Sequence, residues 1–111
     1  MELPLAPRDL LILAALVDDE LHGYGLIKAV AERSQGKVEL DPANLYRVLR
    51  RMERDGWIRE VTKAADAGAR RRRYAITASG RAVLRREVER LDHLLRQVRP
   101  ALAGSGRGGR R

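Results

Sequence analysis

The sequence predicts a mainly α protein that carries one β-hairpin and ends in a long helix. Helical apolar spacing recurs in four segments, and one pair of short β-favouring runs flanks a loop rich in alanine. The chain of 111 residues is the size of one ordinary domain. Apolar residues make up 44% and charged residues 34%, which suits a single core and argues against disorder of the whole chain.

Residues 7–17 read as the first helix. Pro7 suits its first position, and Leu10, Leu13, Ala14 and Val17 recur at helical spacing. Leu11, Ile12, Ala15 and Leu16 make it apolar almost all round, so part of its burial is expected from a second chain. Residues 23–34 read as a shorter second helix with Leu26, Ile27 and Val30 inward and Gly36 as its stop. Gly23 and Gly25 at its start suggest close backbone packing.

Residues 41–55 read as a third helix. Asp41 is a good N-cap, Pro42 fits the first helical position and Gly56 closes the helix. Leu45, Val48, Leu49 and Met52 form one stripe, and Asn44, Arg47, Arg51 and Arg54 form another, with Arg50 beside it. One face is therefore core and the opposite face a basic ridge. Trp57–Lys63 and Arg71–Thr77 read as the strands of a hairpin, with residues 64–70 as its tip. The run Arg70, Arg71, Arg72, Arg73 opens its returning strand.

Residues 78–99 read as the last helix, capped by Thr77 or Ser79 and ended by Pro100. Leu84, Val88, Leu91, Leu95 and Val98 recur at spacings of four, three, four and three, a coiled-coil-like seam. The pairs Glu87–Arg90 and Asp92–Arg96 are expected on its exposed faces. The division expected is 1–77 as one region of three helices and a hairpin, 78–100 as the long last helix and 101–111 as a disordered basic tail.

Lys plus Arg number 23 against 15 Asp plus Glu, a formal charge of +8, and 20 of the 23 cations are Arg. Such a balance suits nucleic acid or an anionic surface. No apolar run approaches the ~20 residues of a membrane span, and the last helix has no aromatic residue to anchor it at a lipid interface. The chain has no cysteine, and its N-terminus lacks the basic region of a secretory signal, so a cytoplasmic location is expected. His22 and His93 lie on different segments and form no recognisable catalytic set. Glu89 and His93 are four apart but read as a surface pair. No enzyme activity, metal or cofactor is expected.

The second helix, a short turn and the capped basic helix make a helix-turn-helix, and the hairpin directly after it makes a wing. An α-helix fits the major groove of DNA, and arginines on its outer face can pair with guanine or phosphate. The wing can lay arginines along the neighbouring backbone. A solvated basic face with a charged edge strand is the alternative. A basic dimer that binds an acidic protein partner without specific DNA recognition is a second alternative.

Three strings resemble the PadR-like family of transcriptional regulators. His22-Gly23-Tyr24-Gly25-Leu26 is similar to its second-helix signature. Leu45 to Ile58 (Leu-Tyr-Arg-Val-Leu-Arg-Arg-Met-Glu-Arg-Asp-Gly-Trp-Ile) resembles its recognition helix and first wing strand. Arg72 to Gly80 (Arg-Arg-Tyr-Ala-Ile-Thr-Ala-Ser-Gly) resembles its returning strand and the cap of its last helix. The resemblance spans residues 8–99 and implies a homodimeric winged-helix DNA-binding protein, usually a repressor, with the last helix as its dimerisation element. It is the short form, with a single helix after the wing. The chain departs from the family at Asn44, where a small residue is usual, and at Arg73, where a second aromatic is frequent.

Base contacts are expected from Asn44, Arg47 and Arg51. Asn44 either reads adenine or bonds back to the cap at Asp41. Backbone contacts are expected from Arg50, Arg70, Arg71, Arg72 and Arg73. Tyr46, and with it Tyr24, resembles family positions that bind phosphate; a core role is the alternative for each. Leu10, Leu13, Leu84, Val88, Leu91, Leu95 and Val98 are expected at a dimer interface on an inverted-repeat operator. The resemblance allows a small aromatic effector between the dimer helices, but all four aromatics precede the last helix, so the sequence gives it no support.

Overall fold

The computed structural model describes residues 4–61 and 72–105. In chain order the elements are α1 (Pro7–Asp18), β1 (Leu21–His22), α2 (Gly23–Arg33), α3 (Pro42–Arg54), β2 (Ile58–Glu60), β3 (Arg73–Ile76) and α4 (Ala78–Ser105). The mainly helical class and the long last helix are those the sequence predicts. The strands are shorter than their apolar runs, and the hairpin tip lies outside the described residues.

A third strand, β1, has no counterpart in the sequence reading. The antiparallel sheet runs β1-β3-β2, with Leu21 opposite Tyr74 and His22 opposite Arg73, and Ile58 opposite Ile76. Two residues are too few to show a period of two, so only the partner strand reveals β1. It anchors the start of α2 to the wing.

The core gathers one face of every helix. Ile12, Leu13, Leu26, Leu45, Leu49 and Met52 are fully buried, and Trp57 and Tyr74 close it from the sheet side. Each fully buried Leu or Ile stabilises the fold by about 1.5–3 kcal/mol relative to exposure. Leu13 therefore belongs to the chain's own core and not, as the sequence suggests, to a dimer interface. Leu10 and Leu84 pack against the same core while only partly buried.

Local chemistry sets the helix ends. Asp41 Oδ1 accepts from the Asn44 amide at 2.9 Å and caps α3. At its other end Gly56 adopts φ +80°. Trp57 N–H then reaches the Met52 carbonyl at 2.9 Å and Gly56 N–H the Glu53 carbonyl at 3.0 Å, the pair of bonds that closes a glycine-stopped helix. The left-handed stop of α2 begins at Gln35, φ 56°, one residue before the Gly36 that the sequence suggests. Thr77 is the α4 cap, its hydroxyl accepting from the Gly80 amide at 3.0 Å and donating to the Gly56 carbonyl at 2.5 Å.

Pro100 does not end α4, which runs on to Ser105. A proline removes one N–H, here the partner of the Arg96 carbonyl. Residues 92–103 are all exposed, so water can satisfy that carbonyl, and Ala101, Leu102 and Ala103 are strong helix formers. The first residues of the expected tail are thus helical, and residues 106–111 lie outside the described set. The long helix gives the molecule extents of 64 × 27 × 21 Å. No helix among the described residues is long and apolar enough to cross a membrane.

Glu87 pairs with Arg90, but on a buried face rather than an exposed one. It is 1% exposed. Arg90 Nε and a terminal guanidinium nitrogen donate to its two oxygens at 2.7 and 2.8 Å, and the Leu5 amide donates at 2.9 Å. The Arg90 hydrogen bonds hold the carboxyl below its usual range against the opposing effect of desolvation, and the Leu5 amide adds to them. A depressed carboxyl contributes stability above its unfolded value, about 4.3, and loses it as pH falls through the folded value. Glu87→Gln is therefore expected to lower the urea midpoint at pH 7, with the gap to wild type narrowing at acid pH. A gap of equal size at pH 7 and pH 3 would contradict this.

Candidate nucleic-acid interface

With the apolar stripe of α3 sealed in the core, its other face carries Arg47, Arg50 and Arg54 into solvent. At the N-terminal end of that face three side chains form a chain. Asn44 Nδ2 donates to Asp41 Oδ2 at 3.0 Å, and Arg47 donates from a terminal guanidinium nitrogen to Asn44 Oδ1 at 2.6 Å. Of the two readings the sequence leaves open for Asn44, the bond to the cap is present.

Arg51 is turned elsewhere. Its guanidinium pairs with Asp9 on α1, a carboxylate only 8% exposed and also touched by Arg8 Nε at 3.2 Å. Removing one partner of such a pair would leave a nearly buried charge uncompensated, so Arg51 is tied to the packing of α1 on α3. This pairing takes Arg51 away from the base-contact role that the sequence suggests. Asp9 and Arg51 are 42 residues apart. No spacing in the sequence links the two.

The two tyrosines differ. Tyr24 is 79% exposed, which removes the core alternative for it. Tyr46 is half-buried and packs against the core. A Cβ at Gly23 would lie 2.9 Å from the Tyr46 hydroxyl and 3.0 Å from Leu45 Cδ2, so the glycine lets the phenol lie across the start of α2. This is the close packing the glycines suggest.

On the wing, Arg72 is exposed and stands 3.8 Å from Glu60. Arg73 Nε donates to His22 Nε2 at 3.3 Å, which requires that nitrogen to be the ring's acceptor. The expected contacts Arg70 and Arg71 lie outside the described residues. Behind the wing, burial raises the Tyr74 phenol above its ordinary value, with Glu53 and Glu60 adding to the rise and Arg72 opposing it. Tyr74 thus stays a neutral core residue.

The chain thus combines a helix-turn-helix with a basic outer face, an antiparallel strand pair after it and a projecting last helix. A profile of the transcriptional regulator PadR-like family matches residues 12–86. The chain belongs to this family. The Mycobacterium tuberculosis transcriptional regulator Rv3488 is 36% identical over 87 residues, 78% of either chain. An uncharacterised 37.1 kDa protein of transposon TN4556 from Streptomyces fradiae is 32% identical over 89 residues, 80% of this chain. The chain spans only 24% of that protein's length. Among solved structures, Bacillus subtilis PadR in complex with operator DNA superposes with a TM-score of 0.65 at 22% identity. The match covers 77% of this chain and 48% of that one, and it shares the winged-helix fold.

Proposed function

We propose that this PadR-like regulator binds double-stranded DNA as a homodimer on an inverted-repeat operator and represses the promoter it covers. The observation that carries this reading is the division of α3. Leu45, Val48, Leu49 and Met52 are buried, while Arg47 and Arg50 on the same two turns are exposed. That leaves a basic helix face of groove-filling size that none of the described residues covers. Arg47, beside Asn44, reads base edges. Arg50, Arg72, Arg73 and the hydroxyls of Tyr24 and Tyr46 hold phosphates. The B. subtilis complex with operator DNA supports the same use of the fold.

Val88, Leu95 and Val98 are 52, 44 and 51% exposed in the single chain. An open groove of about 450 Å³, lined in part by Val17, Leu84 and Val88, adjoins the stripe at its Val88 end. A second copy related by a two-fold axis covers this stripe and sets the two recognition helices about one DNA turn, ~34 Å, apart.

Selection of genomic fragments on the purified protein, followed by sequencing, tests the reading. Fragments sharing an inverted repeat are expected. Their affinity should fall with salt at a log–log slope of about −5 or steeper, since each neutralised phosphate adds ~0.9. Recovery of unrelated sequences, or an affinity nearly independent of salt, would leave an acidic protein as the better partner.

A further inference from the structure

We infer that Asn44 is a positioning residue for Arg47 and does not itself read a base, so that the sequence preference of this end of α3 is for guanine through Arg47 alone. The inference rests on the DNA-binding reading above and deepens it. A carboxylate only accepts hydrogen bonds, so the Asn44 group facing Asp41 Oδ2 at 3.0 Å must be its NH2. That fixes the amide's orientation and aims Oδ1 at Arg47, which donates to it at 2.6 Å. Asp41 is itself immobilised, because its other oxygen accepts from the Asn44 backbone amide at 2.9 Å. The three side chains thus run in one direction from the helix cap to the guanidinium.

To read adenine, Asn44 would have to turn both ends of its amide to N6 and N7. It would surrender one bond to a carboxylate and one from a guanidinium, each roughly twice as strong as the neutral bonds that replace them. To orient Arg47 it surrenders nothing. Arg47 spends one N–H on Asn44 and keeps four of its five, enough for the paired contact to guanine O6 and N7. An arginine already held in one rotamer loses less freedom on binding than a free one.

The test is a position-resolved base-preference profile of wild type, Asn44→Ala, Arg47→Ala and the double variant, measured by binding to a randomised operator library. Arg47→Ala is expected to erase a guanine preference of roughly 5- to 150-fold at one position per half-site. Asn44→Ala should reduce that same preference about three- to tenfold and leave every other position unchanged. The double variant should match Arg47→Ala alone. Asp41→Ser keeps an oxygen for the backbone cap and removes the one that holds the amide, so it should repeat the Asn44→Ala profile in milder form. A change of helix stability alone would weaken all positions together. Loss of a separate adenine preference in Asn44→Ala, or additive losses in the double variant, would overturn the positioning role while leaving DNA recognition intact. A flat wild-type profile would overturn both.

Discussion

Adding one methyl group at Gly80 is expected to unfold much of the population near physiological temperature. A Cβ there would stand 2.1 Å from the Trp57 carbonyl oxygen and 2.8 Å from Ile76 Cγ1. The oxygen is backbone and cannot step aside, because it accepts the Thr77 amide at 2.9 Å. Relief would require α4 to lift off the sheet, which also breaks the Thr77 cap. Overpacking of this kind costs ~3 kcal/mol or more when rigid atoms collide. For a domain of this size that is a fall in melting temperature of roughly 12–24 °C. Gly104 is the control, since a Cβ there meets nothing within 4 Å, so Gly104→Ala should melt within a few degrees of wild type. A Gly80→Ala protein melting as the parent does would show that α4 does not pack as described.

Leu95→Glu is expected to split the dimer and weaken operator binding by roughly 100-fold or more. Leu95 is 44% exposed in the single chain, so the change need not disturb the protomer's own core. Leu91 is more enclosed and would confuse the two effects. Val88, Leu94, Leu95, Val98 and Leu102 leave a long apolar stripe in water, a feature soluble monomers rarely show. A carboxylate placed in a buried seam without a partner costs ~3–5 kcal/mol, which raises the dimer dissociation constant by two to four orders of magnitude. Each monomer would then hold a half-site alone and lose the ~10²–10⁴ gained by linked binding. Sedimentation and operator titration on the same samples read both quantities. A wild-type monomer that binds a full operator tightly would refute the expectation, as would a Leu95→Glu dimer of unchanged affinity.

Much of the candidate site was legible because its signals are local. The cap at Asp41, the apolar stripe of α3, the basic residues between its positions and the stop at Gly56 all lie within one helix, where spacing alone sorts core from surface. The apolar spacing along α4 was legible for the same reason. The sequence by itself therefore determined the helical class, the basic outer face of α3 and the family resemblance, and it narrowed the cap of the last helix to Thr77 or Ser79, between which the structure decides for Thr77.

Only the tertiary structure decided what distant partners do. Arg51 shares the periodicity of Arg47, yet Asp9, 42 residues earlier, claims it. Glu87 has the i,i+3 spacing of a surface pair, yet Leu5, 82 residues away, closes a buried network over it. Leu13 looks like any other residue of an all-round apolar helix until the neighbouring helices bury it. Strand β1 is too short to carry a pattern, and Pro100 has the local signature of a stop although an exposed helix can lose one hydrogen bond to water and continue. In each case, periodicity reports which face of an element a residue occupies. What meets that face depends on how the elements pack, and no spacing within one element records that.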